Sequence, residues 1–137
     1  MTEPAQGFIA QEQAYKRKGV LSPRTMAGGA WTSELFAFVN ATGATTDFAV
    51  VAAVAGSRIR VLSYALSAVV TGVSSGTFTS KPGGAGTAIS PLISLPLNGF
   101  VSEDSAIGLF QTAVGEGLSI TTGLNIVGVR VTYILVD

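Results

Sequence analysis

The sequence predicts an all-β domain of the antiparallel sandwich or barrel class. From Ser33 to the C terminus, short β-type runs follow one another at the spacing of roughly 8 to 12 residues that is typical of such folds. Clusters of Gly, Pro, Asn and Ser separate the runs, and no helix of normal length fits between them. A chain of 137 residues is long enough to bury one core, since domains of about 100 to 200 residues are the usual size.

The first 32 residues are predicted to form an N-terminal arm, with the sandwich domain over residues 33–137. The arm has a low content of β-branched residues and no sustained period of 3.6 or 2. Residues 9–18 include acceptable helix formers, so one short helix is expected there. Two alternatives stay open, a frayed terminus without a role and an arm that lies on a neighbouring chain.

If the arm lies on a neighbour, its apolar side chains are expected to anchor it and its basic cluster to meet an acidic patch. The candidate anchors are Phe8, Ile9, Tyr15, Val20 and Leu21. The basic cluster consists of Lys16, Arg17 and Lys18. Trp31, at the boundary, is expected to close the end of the sandwich core and is also a contact candidate.

Nine runs are predicted as strands because each is rich in β-branched, aromatic or small apolar residues and ends at turn-forming residues. Asn98-Gly99 predicts a tight turn of the primed type, in which both residues accept a positive φ. Pro91 and Pro96 place the run before this turn at a sheet edge or on an irregular path. The predicted strands are 35–39, 47–54, 58–70, 76–80, 88–95, 99–101, 107–112, 118–122 and 127–136.

The run 58–70 has two unlike faces, because side chains alternate along a strand. Large side chains share one face, namely Leu62, Tyr64 and Leu66. Smaller ones share the other, namely Val61, Ser63, Ala65 and Ser67. The face of Ser63, Ala65 and Ser67 is therefore predicted to be a flat contact surface.

The last run changes its pattern near the C terminus. Its first face is apolar throughout and consists of Val127, Val129, Val131, Tyr133 and Leu135. Ile134 and Val136 make the opposite face apolar as well, which predicts that both sides are covered there. The cover is expected to come from the chain itself or from another subunit, so both residues are contact candidates.

The composition excludes many kinds of catalytic site. The chain has no His and no Cys, so imidazole bases, thiol nucleophiles, disulfides and the usual zinc and iron–sulfur ligand sets are absent. Residues 72–76 match G-x-S-x-G, but a serine nucleophile needs a general base and a strand-to-helix turn. We expect no catalytic residue, no cofactor and no metal.

Paired carboxylates are the weakest remaining indication of an enzyme, since glycoside hydrolysis needs only two of them. The candidates are Glu34, Asp47, Glu103, Asp104 and Glu116. Glu103 and Asp104 are adjacent, so they face opposite sides of a strand or are solvated in a turn. We therefore expect the protein not to be an enzyme.

The shortage of charge indicates covered surfaces. Only 12% of the residues are charged, against roughly 25% in an average domain. Ala, Gly, Ser and Thr make up 62 of the 137 residues. Subunit interfaces are depleted of charge in their centres, so the sequence predicts an obligate oligomer.

The charge balance and the apolar runs also bear on partners. The net charge is zero, which predicts no binding to nucleic acid or to an anionic membrane surface. No apolar run reaches the roughly 20 residues of a membrane span. The first residues lack a basic and apolar leader pattern, so synthesis in the cytoplasm is expected.

Four stretches carry a resemblance to a group of small virion proteins of tailed bacteriophages. The first reads V-A-G-S-R-I-R-V-L at 54–62, and the last reads G-L-F-Q-T-A-V-G-E-G-L-S-I at 108–120. Between them lie a short strand at 76–79 and the turn P-L-N-G-F at 96–100. The similarity covers about residues 48–136, and the arm has no counterpart.

This resemblance implies a jelly-roll-like β-sandwich that acts as a head decoration, or cement, protein. Such proteins are commonly trimers at capsid symmetry axes, so the expected partners are two further copies of the chain and a phage major capsid protein. The expected location is the capsid exterior, with the arm spread over coat subunits. The alternative is a tail- or fibre-associated sandwich that binds a host glycan through the loop 81–87 and Asn98.

Overall fold

The computed structural model divides the chain into two compact units, Met1–Glu34 and Leu35–Asp137. In the first unit, β1 (Arg24–Thr25) pairs with β2 (Trp31–Thr32) as a two-stranded antiparallel sheet. The structure describes residues 24–25, 31–69, 74–96, 98–123 and 126–137.

Most of the predicted arm lies outside the described residues. This applies to the helix predicted at 9–18 and to the arm's contact candidates, which are Phe8, Ile9, Tyr15, Lys16, Arg17, Lys18, Val20 and Leu21. They stay predictions, as does the domain boundary after residue 32.

The described residues of the second unit form ten strands in two five-stranded antiparallel sheets. Sheet one contains β3 (Leu35–Ala41), β5 (Arg58–Val69), β9 (Phe100–Asp104), β10 (Phe110–Gln111) and β12 (Ile126–Val136). Sheet two contains β4 (Thr45–Val51), β6 (Ser74–Lys81), β7 (Thr87–Ala88), β8 (Ile93–Leu95) and β11 (Gly117–Thr122).

The strand order is that of a jelly roll. In sheet one, β12 lies between β3 and β5, and both β9 and β10 pair with the other edge of β5. In sheet two, β11 lies between β4 and β6, and β7 and β8 pair with the other edge of β6. Every connection except those within the β6–β8 and β9–β10 groups passes from one sheet to the other. This double Greek key confirms the predicted all-β, jelly-roll-like sandwich.

The core lies between the two sheets. It contains the predicted apolar face of β12, with Val127, Val129 and Val131 at most 2% exposed and Tyr133 and Leu135 partly buried against it. An aromatic group joins the sheets, since the ring centroids of Tyr64 and Phe110 lie 5.3 and 5.1 Å from that of Phe78. The remaining large buried side chains of the core are Ile59, Val61, Leu66, Leu95, Leu118 and Ile120.

A β-bulge corrects the predicted faces of β5. Thr132 pairs with Ser63 and Tyr133 pairs with Val61, so Leu62 has no direct partner on β12. The extra residue reverses the alternation, and Val61 therefore lies in the core rather than on the small face. Leu62 is buried but is not part of the main core cluster.

The proline-containing segment is also less regular than one strand. The predicted run 88–95 is divided into β7 and β8 around Pro91, and both short strands lie at the edge of sheet two. After it, the Gly99 N–H donates to the Pro96 carbonyl at 2.8 Å, and Asn98 has a φ of 49°. The turn thus spans Pro96 to Gly99, and Gly99 has no positive φ, so the predicted primed turn with Asn98 and Gly99 at its centre is wrong.

Two isoleucines provide a matched test of the core. Ile120 is fully buried, whereas Ile107 is 81% exposed. We expect Ile120→Ala to lower the free energy of unfolding by about 2–5 kcal/mol, because it removes apolar burial and leaves a cavity. Ile107→Ala should change it by less than about 0.5 kcal/mol. Chemical denaturation of both variants measures the difference, and equal effects would contradict the described packing.

Candidate contact surface

The outward side of sheet one forms a surface of twelve residues, which we call the open face. Its members come from β3, β12, β5 and β9, and cross-strand pairing places them in three rows. The rows are Asn40, Gly128, Ser67 and Phe100; Phe38, Arg130, Ala65 and Ser102; and Phe36, Thr132, Ser63 and Asp104.

The alternation along the two central strands fixes which side these residues face. Tyr64 and Leu66 on β5, and Val129 and Val131 on β12, point into the core. Their neighbours along each strand therefore point outward. All twelve residues of the open face are half-buried or exposed in the chain.

The open face has a low floor and high aromatic edges. Phe36 and Phe38 stand on β3 and are 58% and 81% exposed, and Phe100 stands on β9 and is 64% exposed. Between them lie two shallow depressions of about 310 and 410 Å³. Small residues form much of their lining, namely Ser63, Ala65, Ser67, Ser102 and Gly128.

Gly128 helps to keep the floor low. A Cβ atom at this position would lie 2.9 Å from Ser67 Oγ and 3.4 Å from Asn40 Oδ1. The Ser67 side chain would have to move to admit a side chain at position 128. The hydrogen atom of glycine leaves the β12 backbone open to whatever contacts the face.

The open face carries two charges of opposite sign. Arg130 lies on β12 and Asp104 on β9, and both are exposed. Two strand spacings and a two-residue step separate them, which is roughly 12 Å between Cα atoms. Among the described residues, neither side chain makes a hydrogen bond or an ion pair. The β3–β12 half of the face is thus positive and the β9 edge negative.

Glu103, next to Asp104, takes no part in the open face. It pairs with Tyr64 and therefore points to the core side of β9, where the Tyr64 hydroxyl donates to its Oε1 at 2.8 Å. Burial, and then the hydrogen bond to Glu103 and its charge, raise the pKa of Tyr64 from 10.0 to about 12. Of the two alternatives for Glu103 and Asp104, the strand is the one found, because both residues lie on β9 and face opposite sides, and the alternative of a turn is wrong.

The contact candidates of the β domain fall into two groups. Ser63, Ala65 and Ser67 lie together on the floor of the open face, as the alternation predicted. Ile134 and Val136 are only 2% and 4% exposed, so the chain itself covers them. They have almost no surface left for another subunit and do not belong to the open face.

The sequence reasoning missed the aromatic edges. Phe36 and Phe38 could have been found, because they alternate on one face of the predicted strand 35–39. Phe100 could not, since only the pairing of β9 with β5 brings it beside Ser67. For Trp31, the structure describes the backbone of β2 and not the side chain.

Asp47 is a carboxylate candidate that has a structural role on sheet two. It has a φ of 51° within β4, and its carboxylate accepts hydrogen bonds from Thr79 Oγ1 at 2.8 Å and the Gly86 N–H at 2.9 Å. The Gly86 N–H and the Thr79 hydroxyl hold the pKa of Asp47 below its ordinary value. Asp47 therefore ties the loop after β6 to the outward side of sheet two.

Glu116 has a similar role at the sandwich edge, where it accepts a hydrogen bond from the buried Ser80 hydroxyl. The same Ser80 oxygen accepts the Ala113 N–H at 2.9 Å, which holds the turn before β11. Across the described residues, no three acidic side chains come together as metal ligands.

Comparison with known protein families and with curated proteins finds no match to this chain. Within the described part of the chain, no helix has the length and apolar character needed to cross a membrane. The fold and the open face thus define a jelly-roll β-sandwich with an exposed sheet surface of small and aromatic residues and one charge of each sign.

The Tyr64–Glu103 contact can be tested by titration. We expect Glu103→Gln to lower the pKa of Tyr64 from about 12, because it removes the carboxylate charge, but not fully to 10.0, because burial remains. Ultraviolet absorbance of tyrosinate against pH measures the change, and Tyr64→Phe assigns the transition.

The same pKa makes a prediction for stability. Tyr64 binds its proton more tightly in the folded state, so its contribution is complete below pH 10 and is lost as pH rises through about 12. In Glu103→Gln this loss should be smaller. An unchanged tyrosinate titration in Glu103→Gln would contradict the contact.

Proposed function

We propose that the protein is a structural virion protein of a tailed bacteriophage. It decorates the exterior of the capsid, binds coat subunits as a homotrimer and stabilises the head. The observation that carries this proposal is the open face, with three exposed phenylalanines around a floor of small residues. It is not proposed to be an enzyme.

The chemistry of the open face supports a contact with protein. Full burial of a phenylalanine side chain is favourable by about 1.5–3 kcal/mol, so Phe36, Phe38 and Phe100 gain stability when a partner covers them. Protein interfaces are enriched in aromatic residues and depleted of charge at their centres. The small residues of the floor allow a partner's backbone to approach closely.

The fold and the resemblance to phage virion proteins support the same proposal. Jelly rolls are common in viral capsid domains, although the fold alone does not specify a function. A decoration protein needs no cofactor and acts by adding contact area between coat subunits. Under this proposal, residues 1–32 extend that contact over the neighbouring coat protein.

Copy number in the particle tests the proposal. A decoration protein is expected at a molar amount comparable to that of the major capsid protein, because it occupies repeated sites on the capsid lattice. Quantitative mass spectrometry of purified virions measures this ratio. A few copies per particle, located in the tail, would instead support the alternative of a glycan-binding tail or fibre module.

A second measurement tests the stabilising role. Particles that lack the protein should release their DNA at a lower temperature than complete particles, because they lack the added contacts. Adding the purified protein back should restore the release temperature. Equal release temperatures with and without a bound protein would contradict a cementing role.

A further inference from the structure

We propose that a second copy of this chain covers the open face, with the β9 edge of one copy on the β3–β12 half of the next. In this arrangement Asp104 of one copy meets Arg130 of the other. The inference rests on the proposed function, since it identifies the contact that holds the homotrimer together.

Charge complementarity within a single face supports this contact. Among its twelve residues the open face has one positive and one negative side chain, and they lie on opposite halves. Both are exposed, and roughly 12 Å between Cα atoms separates them within one chain. When the β9 edge of one copy is placed on the β3–β12 half of another, Asp104 comes close to Arg130. Each half of the open face therefore finds the opposite charge on a second copy of the chain.

The distribution of apolar surface supports the same contact. Phe36 and Phe38 stand on the β3 edge, and Phe100 stands on the β9 edge, while the floor between them is small-residue surface. The same placement brings Phe100 of one copy against Phe38 and Phe36 of the next. Aromatic contact and charge pairing therefore form together, in one orientation.

Symmetry limits the assemblies that this contact can form. In a trimer the contact is heterologous, and repeating it gives a closed ring when the rotation at each step divides a full turn evenly. The same residues meeting reciprocally about a two-fold axis would give a dimer, which the sedimentation mass distinguishes from a trimer. A three-membered ring satisfies every copy, since each presents one β9 edge and one β3–β12 half. The contact therefore agrees with a trimer.

Charge reversal provides the sharpest test. Sedimentation of the full-length chain over a range of concentrations measures association for wild type, Asp104→Arg, Arg130→Asp and the double variant. Each single variant places like charges together and should weaken association by about tenfold or more. The double variant exchanges the two charges and should regain most of it. Asp137→Arg, at an exposed position outside the face, makes the same charge change as Asp104→Arg and should leave association unchanged.

A matched pair of substitutions tests the aromatic part of the proposed contact. Phe38 and Ile107 are both 81% exposed, but only Phe38 lies on the open face. Phe38→Ala should weaken association, whereas Ile107→Ala should not. Circular dichroism and thermal unfolding check that the exposed substitutions leave the fold intact.

The following outcomes would overturn the inference. The wild-type chain could remain monomeric at all concentrations, or the double variant could associate as weakly as the single variants. If the single variants changed binding to capsids and left self-association unchanged, the occupant of the face would be coat protein. Each of these results is independent of the copy number in the virion, so failure of this inference and failure of the proposed function can be told apart.

Discussion

The structure depends on the position of β12 between β3 and β5, because this central strand fixes the register of sheet one. Its odd-numbered residues from Val127 to Val131 fill the core, so Gly128 and Arg130 must face outward. A slip of one residue would exchange the two sets and place a guanidinium in the core. Packing of the apolar core therefore fixes which residues of β12 lie on the open face.

The bulge in β5 sets the limit of that face. Up to Ser63 and Thr132, the outward residues of β5 and β12 are small or polar and are half-buried or exposed. Beyond the bulge, Ile134 pairs with Arg60 and is buried, although it lies on the side opposite the core residue Ile59. The extra residue keeps Val61 in the core while the strand continues, so one irregularity separates an open region of the sheet from a covered one.

Much of the fold could be predicted from the sequence, because strands and turns follow from local sequence patterns. Strand period and turn residues are properties of neighbouring residues, so the nine predicted runs overlap the ten strands of the β domain, with the run 88–95 divided into β7 and β8, and the apolar face of β12 was identified. The short strands β1 and β2 were not predicted. The bulge could not be predicted, because it is defined by the pairing of Val61 with Tyr133, far apart in sequence. The same holds for the site. Alternation identified Ser63, Ala65 and Ser67, but the approach of Asp104 and Phe100 to them requires the β5–β9 register.

The two outward sides of the sandwich differ in how far the chain itself covers them. On sheet two, Thr79 and Ser119 face away from the core and yet are only 5% and 3% exposed. Asp47 bonds to Thr79 and to the Gly86 backbone, so this side is partly closed by the chain's own carboxylate and loop. Sheet one has no such cover among the described residues of the β domain, and its open face consists mainly of small and aromatic residues, with one charge of each sign. Exposed apolar patches of this kind mark interaction sites. This face is therefore the surface that we propose meets other protein.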